Sequence, residues 1–230
     1  MSTAPKMSLR AALSSLAKEK RLVAKATPDS SWTKLRDAVL PSCSRDVVAW
    51  LDFVATHSIK SIGIWRFAKP NEMAKKPAAA APFYERAAIA AATSTLFLGK
   101  DGGGLQFYVL RSKTLSEVFV QDPGAGQFAL LATSLAAFVE LNALVARWDE
   151  VCEEDDLDPD PELIDDGDID FSLPKFAALR ARAKALKGSV NLVAGSDYDE
   201  TVCALAKATL RAKSKSDAEK RYKLAKLGRA

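Results

Sequence analysis

Chemistry in this chain has few places to start. His57 is the only histidine, so any charge-relay hydrolysis, or any cysteine nucleophile activated by imidazole, must run through it. No nucleophile elbow surrounds it, and Asp52, five residues upstream, is at an uninformative spacing. The reading kept for His57 is structural: it closes a helix, where an imidazolium suits the negative end of the dipole. Cys43, Cys152 and Cys203 lie far apart without the paired spacing of a zinc site, and one histidine adds little to them. They read as free thiols in a reducing compartment.

Three stretches resemble phosphate, dinucleotide or metal loops and fail on position. Gly99-Lys100-Asp101-Gly102-Gly103-Gly104 places its lysine before the glycines and a strand-like Leu105 after them. A phosphate cradle needs Lys-Ser/Thr after the glycines and a helix starting there. Gly124-Ala125-Gly126 lacks the third glycine of a dinucleotide fingerprint, with Ala129 in its place. Asp166, Asp168 and Asp170 have the alternate spacing of a calcium loop. Phe171 then occupies the position that needs glycine, and Ala177 the position of the bidentate carboxylate. No metal or cofactor is expected, and no enzyme activity.

What remains is charge. Asp149 to Asp170 holds thirteen carboxylates in twenty-two residues and no Lys or Arg. Within it Glu153, Glu154, Asp155, Asp156, Asp158, Asp160, Asp165, Asp166, Asp168 and Asp170 form the candidate binding surface, able to attract a basic partner by electrostatic steering. The bland alternative is a solvated linker, since Pro159, Pro161 and Gly167 interrupt it. The chain after Lys175, and the segment before Lys25, are mostly basic. The overall charge of +4 conceals this asymmetry. The basic C-terminal region, Arg180 to Arg229, has a nucleic-acid reading as the alternative to a solvated helix, without interleaved aromatics for base stacking.

The elements that hold these residues follow from periodicity. Met7–Ala26 predicts a helix with Leu9, Leu13, Leu16 and Val23 as its stripe. Trp32–Leu40 predicts a second. Ser44 caps a third, with Val47, Val48, Leu51 and Val54 inward. Ser61–Phe67 predicts one strand. Lys69–Pro82 is proline-rich and reads as a loop, and Tyr84–Ala92 as a short helix end leading into a strand. Asp101–Gly104 is a turn joining Ser94–Leu98 to the alternating Leu105–Leu110, a hairpin. Leu115–Val120 is another strand, and Asp122–Gly126 breaks the sheet. Thr133 or Ser134 then caps a helix with Phe138, Leu141, Val145 and Trp148 on its apolar face. Leu173–Lys187 predicts a helix ended by Gly188, with Arg180, Arg182 and Lys184 exposed. Val190–Ala194 predicts a short strand, and Asp197–Leu227 one or two final helices.

The order of elements from Pro41 to Trp148 resembles the SUKH superfamily, which includes bacterial immunity proteins and fungal cell-wall regulators. Three stretches carry the resemblance. Trp50-Leu51-Asp52-Phe53 leading to Ile62-Gly63-Ile64 is similar to the family's opening helix and first strand. Asp101-Gly102-Gly103-Gly104 with Phe107-Tyr108-Val109-Leu110 looks like its glycine turn and following strand. Ala132-Thr133-Ser134-Leu135-Ala136-Ala137-Phe138-Val139 looks like its closing signature. The resemblance implies a non-catalytic α+β domain with a small, largely antiparallel sheet flanked by helices. It implies binding to a cognate protein toxin, a nuclease among the candidates. The expected organisation is a helical basic extension over 1–40, the SUKH-like domain over 41–150, an acidic loop over 151–172 and a helical basic extension over 173–230. No apolar run is long enough to span a membrane and no signal peptide is apparent, so the expected location is cytoplasmic.

Overall fold

The computed structural model describes residues 8–77, 94–123, 127–154, 174–186 and 189–190. They fall into two compact units, Met1–Val139 and Glu140–Ala230. The fold class is α+β, as the sequence predicts. Residues 8–40, the described part of the expected extension, fall in the same unit as 41–139.

In the first unit three helices precede the sheet. Helix α1 (Leu9–Glu19) buries Leu9, Ala12, Leu13 and Leu16. It ends seven residues before the predicted boundary: Arg21 takes a positive φ of 49°, so Val23 leaves the stripe and is 81% exposed. Helix α2 (Ser30–Val39) starts earlier than predicted because Asp29 caps it, accepting from the backbone N–H of Ser31 at 2.9 Å and of Trp32 at 3.4 Å. Helix α3 (Arg45–Thr56) is capped by Ser44, which accepts from the Val47 N–H. The segment before α2 satisfies carbonyls at the end of α3: Lys25 donates to Thr56 and Asp29 to Ala55.

Six strands follow: β1 (Ser61–Ile62), β2 (Trp65–Phe67), β3 (Thr95–Lys100), β4 (Gln106–Leu110), β5 (Val118–Asp122) and β6 (Gln127–Ala132). Each pairs antiparallel with its neighbour in sequence, in the order β1-β2-β3-β4-β5-β6. Two expectations are corrected. Ser61–Phe67 is not one strand but a tight hairpin, turned at Gly63 with φ 53°. The residues after the second glycine turn do not go straight into a helix, since Gln127–Ala132 first adds β6 to the sheet edge. The expected hairpin across Asp101–Gly104 is present as β3–β4.

One face of the sheet meets the helices through aromatic rings. Trp50 of α3 stacks on Trp65 of β2 at 4.9 Å, and Trp65 lies 4.6 Å from Phe138, which lies 5.1 Å from Phe107 of β4. The buried Trp65 indole N–H donates to the Leu98 carbonyl at 3.2 Å, so the polar end of that ring is satisfied. The other face carries a second aromatic set: Phe97, Tyr108, Phe119 and Phe128, all buried.

Helix α4 (Leu135–Glu154) starts in this unit, with Ser134 accepting from the Ala137 N–H at 3.1 Å. It continues through the second unit, where Leu141, Leu144, Val145, Trp148 and Val151 are buried. It runs through Glu150–Glu154, so the first turn of the acidic segment is helical rather than loop. Helix α5 (Pro174–Leu186) buries Leu179, Ala183 and Leu186. The readings for Tyr84–Ala92, Gly188 and Asp197–Leu227, and most of Val190–Ala194, lie outside the described residues. No described helix is long and apolar enough to cross a membrane.

Candidate interaction surface

Of the predicted binding residues, Glu153 and Glu154 lie in the last turn of α4, both exposed. Glu154 does not present its full charge: Arg147, a helical turn or two upstream, reaches Glu150 at 2.9 Å and Glu154 at 3.5 Å. The Glu150 hydrogen bond, with help from the Glu154 charge, holds the Arg147 guanidinium above its usual pKa. Asp155, Asp156, Asp158, Asp160, Asp165, Asp166, Asp168 and Asp170 lie outside the described residues. Among the described residues the helix end therefore presents Glu153 outside any ion pair, beside a partly neutralised cluster that includes the exposed Glu154.

The basic C-terminal region loses one of its named members. Arg182, predicted exposed, is half-buried and donates through Nε to Glu140 at 2.6 Å, tying α5 to α4 within the second unit. The buried carboxylate and guanidinium are each other's counter-charge, which makes Arg182 structural. The Arg180 and Lys184 side chains, and the residues from 191 to Arg229, lie outside the description.

His57 sits where a helix-closing residue should. It is the residue after α3, its ring stacks on Phe53 at 4.3 Å, and Nδ1 lies 3.0 Å from both the Phe53 carbonyl and the Thr56 hydroxyl. Asp52 is turned to Arg36 instead, at 2.8 Å. Arg36 also holds Asp37, and these two carboxylates, Asp52 first, raise its pKa. Cys43 is buried, and burial pushes its thiol up, away from the thiolate that nucleophilic chemistry needs. Among the described residues no three His, Cys, Asp or Glu converge as metal ligands.

The glycine turn is filled by the chain itself. The Asp101 carboxylate, 4% exposed as a residue, accepts from the Leu105 N–H at 2.8 Å, while the Asp101 N–H donates to the Leu105 carbonyl. An internal carboxylate thus takes the N–H that a phosphate loop would offer its ligand.

A polar link missed in the sequence lies on the helix side of the sheet. The Ser116 hydroxyl, between β4 and β5, donates to Asp46 at the start of α3 and accepts from the Leu135 N–H at the start of α4. Nothing in the local pattern around Ser116 marks it, because its partners are 70 and 19 residues away.

Comparison with protein-family models, with curated proteins and with solved structures found no match.

Proposed function

We propose that this chain is a non-enzymatic binding protein of SUKH type, an immunity protein that neutralises a cognate toxin by direct contact in the cytoplasm. The observation that supports this most is where the three motif stretches meet. Trp50 from the first, Phe107 from the second and Phe138 from the third converge through Trp65 on one aromatic cluster. Residues from all three stretches that carry the resemblance thus pack against one another in the core. Shared packing of this kind bears on fold, and the function comes from the resemblance.

The surface proposed for toxin contact is the carboxylate run that begins at Glu153 and Glu154 and continues through Asp155–Asp170. A nuclease presents a basic groove to its own polyanionic substrate, and a dense acidic segment competes for that groove by accelerating encounter and by matching charge. The test is co-purification of the tagged chain from its host with neighbouring genes intact. The expected result is one stoichiometric protein that is toxic when expressed alone and harmless beside this chain. Nucleic acid alone, or no partner in low salt, overturns the proposal. Replacing Asp155, Asp156, Asp158 and Asp160 with Asn then tests the surface: the association rate should fall and lose much of its salt dependence.

A further inference from the structure

The sheet face turned away from Trp65 carries a polar row that neither the core nor the acidic segment explains. Ser61, Arg66, Lys100 and Gln106 are successive cross-strand partners on β1, β2, β3 and β4. Directly opposed residues in an antiparallel ladder project to the same face, with Cβ atoms about 4.5–5.5 Å apart. The Arg66 guanidinium and the Lys100 ammonium therefore rise side by side. Both residues are exposed, and among the described residues neither takes part in an ion pair or hydrogen bond through its side chain.

The nearby carboxylates are engaged elsewhere. Asp101 is turned into its own loop toward the Leu105 N–H, and Glu72 accepts from the Lys69 N–H at 2.7 Å. Opposed like charges weaken a ladder, yet among the described residues this pair has no counter-ion. A third cation borders the row: the Lys75 ammonium sits 5.0 Å over the ring of Phe97, on the same face. Neutral donors flank the pair. Ser61 offers a hydroxyl, and Gln106, whose Oε1 accepts the Tyr108 hydroxyl, offers its amide N–H groups. The described part of the first unit holds sixteen Lys and Arg against nine Asp and Glu, a net positive balance.

We propose that the Arg66–Lys100 row binds the phosphodiester backbone of a nucleic acid without reading its sequence. Arginine and lysine beside hydroxyl and amide donors is the set that backbone contacts use. No exposed aromatic side chain lies in the row, so base stacking does not contribute. An acidic protein face fits less well, because lysine is depleted from the centres of protein interfaces. The row shares no residue with the acidic segment, and its failure leaves the toxin proposal untouched.

The test uses the full-length chain and two duplexes of unrelated sequence, with affinity followed from about 50 to 200 mM salt. Arg66→Gln with Lys100→Gln should weaken both duplexes alike. It should also lower the slope of log K against log salt by about two, close to 0.9 for each lost phosphate contact. A second full-length variant, with Lys213, Lys215, Lys220 and Lys223 replaced by Gln, should keep the share of the slope that the row supplies. The proposal is overturned by a slope unchanged in the row variant, by the absence of duplex binding at low salt, or by polyglutamate displacing the duplex through the same two residues. Thermal unfolding of each variant ensures comparison at equal folded fraction.

Discussion

Gly99→Ala should be among the most damaging single-methyl changes in the chain. Gly99 lies in β3 at a bulge and faces Phe67 of β2, with φ at 136°. A Cβ built there falls 2.0 Å from the Arg66 carbonyl oxygen and 2.9 Å from the Ala68 nitrogen. Both are backbone atoms, so no side-chain rotation relieves the clash. Two costs follow. Holding alanine at this φ costs about 1–3 kcal/mol. Moving β2 away by the ångström needed also loosens Trp65, wholly buried between Trp50 and Phe138, and a partial loss of that packing adds about 1–2 kcal/mol, by comparison with ~3–5 for deleting a buried aromatic outright. The sum, about 2–5 kcal/mol, is a large part of the ~5–15 kcal/mol typical of a domain. Urea unfolding followed by tryptophan fluorescence measures it directly. Gly102→Ala is the matched control, because nothing lies within 4 Å of its added Cβ, and it should stay within about 0.5 kcal/mol of the parent. A Gly99→Ala midpoint equal to that of Gly102→Ala, at unchanged m, would refute the close-approach argument.

Three further outcomes are expected. Ser116→Ala leaves the Leu135 N–H without its acceptor in a buried setting and removes a donor from Asp46, a loss of about 1–3 kcal/mol; in a double-mutant cycle with Asp46→Ala, the two changes should add to less than their sum. Lys100→Glu turns the opposed cations into an ion pair with Arg66 and should raise stability by about 0.2–1 kcal/mol in low salt, an increase that thermal unfolding in high salt should erase. Burial raises the folded pKa of Cys43, so the native state holds its proton more tightly than the unfolded chain. That contribution is complete below the unfolded thiol value of about 8.5 and is lost as pH rises through the folded value. Cys43→Ala should therefore flatten the alkaline fall in unfolding free energy, and a parallel fall in both proteins would count against a buried thiol.

Much of the fold was legible where one residue type does one local job. Ser44 and Ser134 announce their helices by hydroxyl capping, and Asp101–Gly104 announces the β3–β4 hairpin. What escaped has a shared cause: local pattern was silent or ambiguous. Ser61–Phe67 reads as a single apolar run because both arms of the hairpin are only two or three residues long, and Gly63 was the one clue to the turn. Gln127–Ala132 lacks polar alternation, since Phe128, Leu131 and Ala132 are all buried, so the run merges visually with the helix after it. Val23 continued a helical stripe on paper, and only the left-handed residue at Arg21 removes it. The candidate surface divided in the same way. The acidic run is plain in composition, but the Arg147 ion pairs and the Arg66–Lys100 opposition depend on which residues stand across from one another, which sequence order does not reveal.

The strand order has a consequence for how the chain reaches its native state. Because every strand lies beside its sequence neighbour, the hairpin β1–β2 and the meander β3–β6 can each form across connections of two to seven residues, and only the β2–β3 pairing spans a longer one, residues 68–94. Such local contacts favour rapid formation. The aromatic cluster is the exception: Trp65 and Phe138 meet across more than seventy residues, and the Leu135 N–H must find Ser116. Docking the start of α4 is then expected late, after the transition state in which the local hairpins form. Substitutions at Phe138 should chiefly speed unfolding, whereas those that weaken the β3–β4 turn should slow folding.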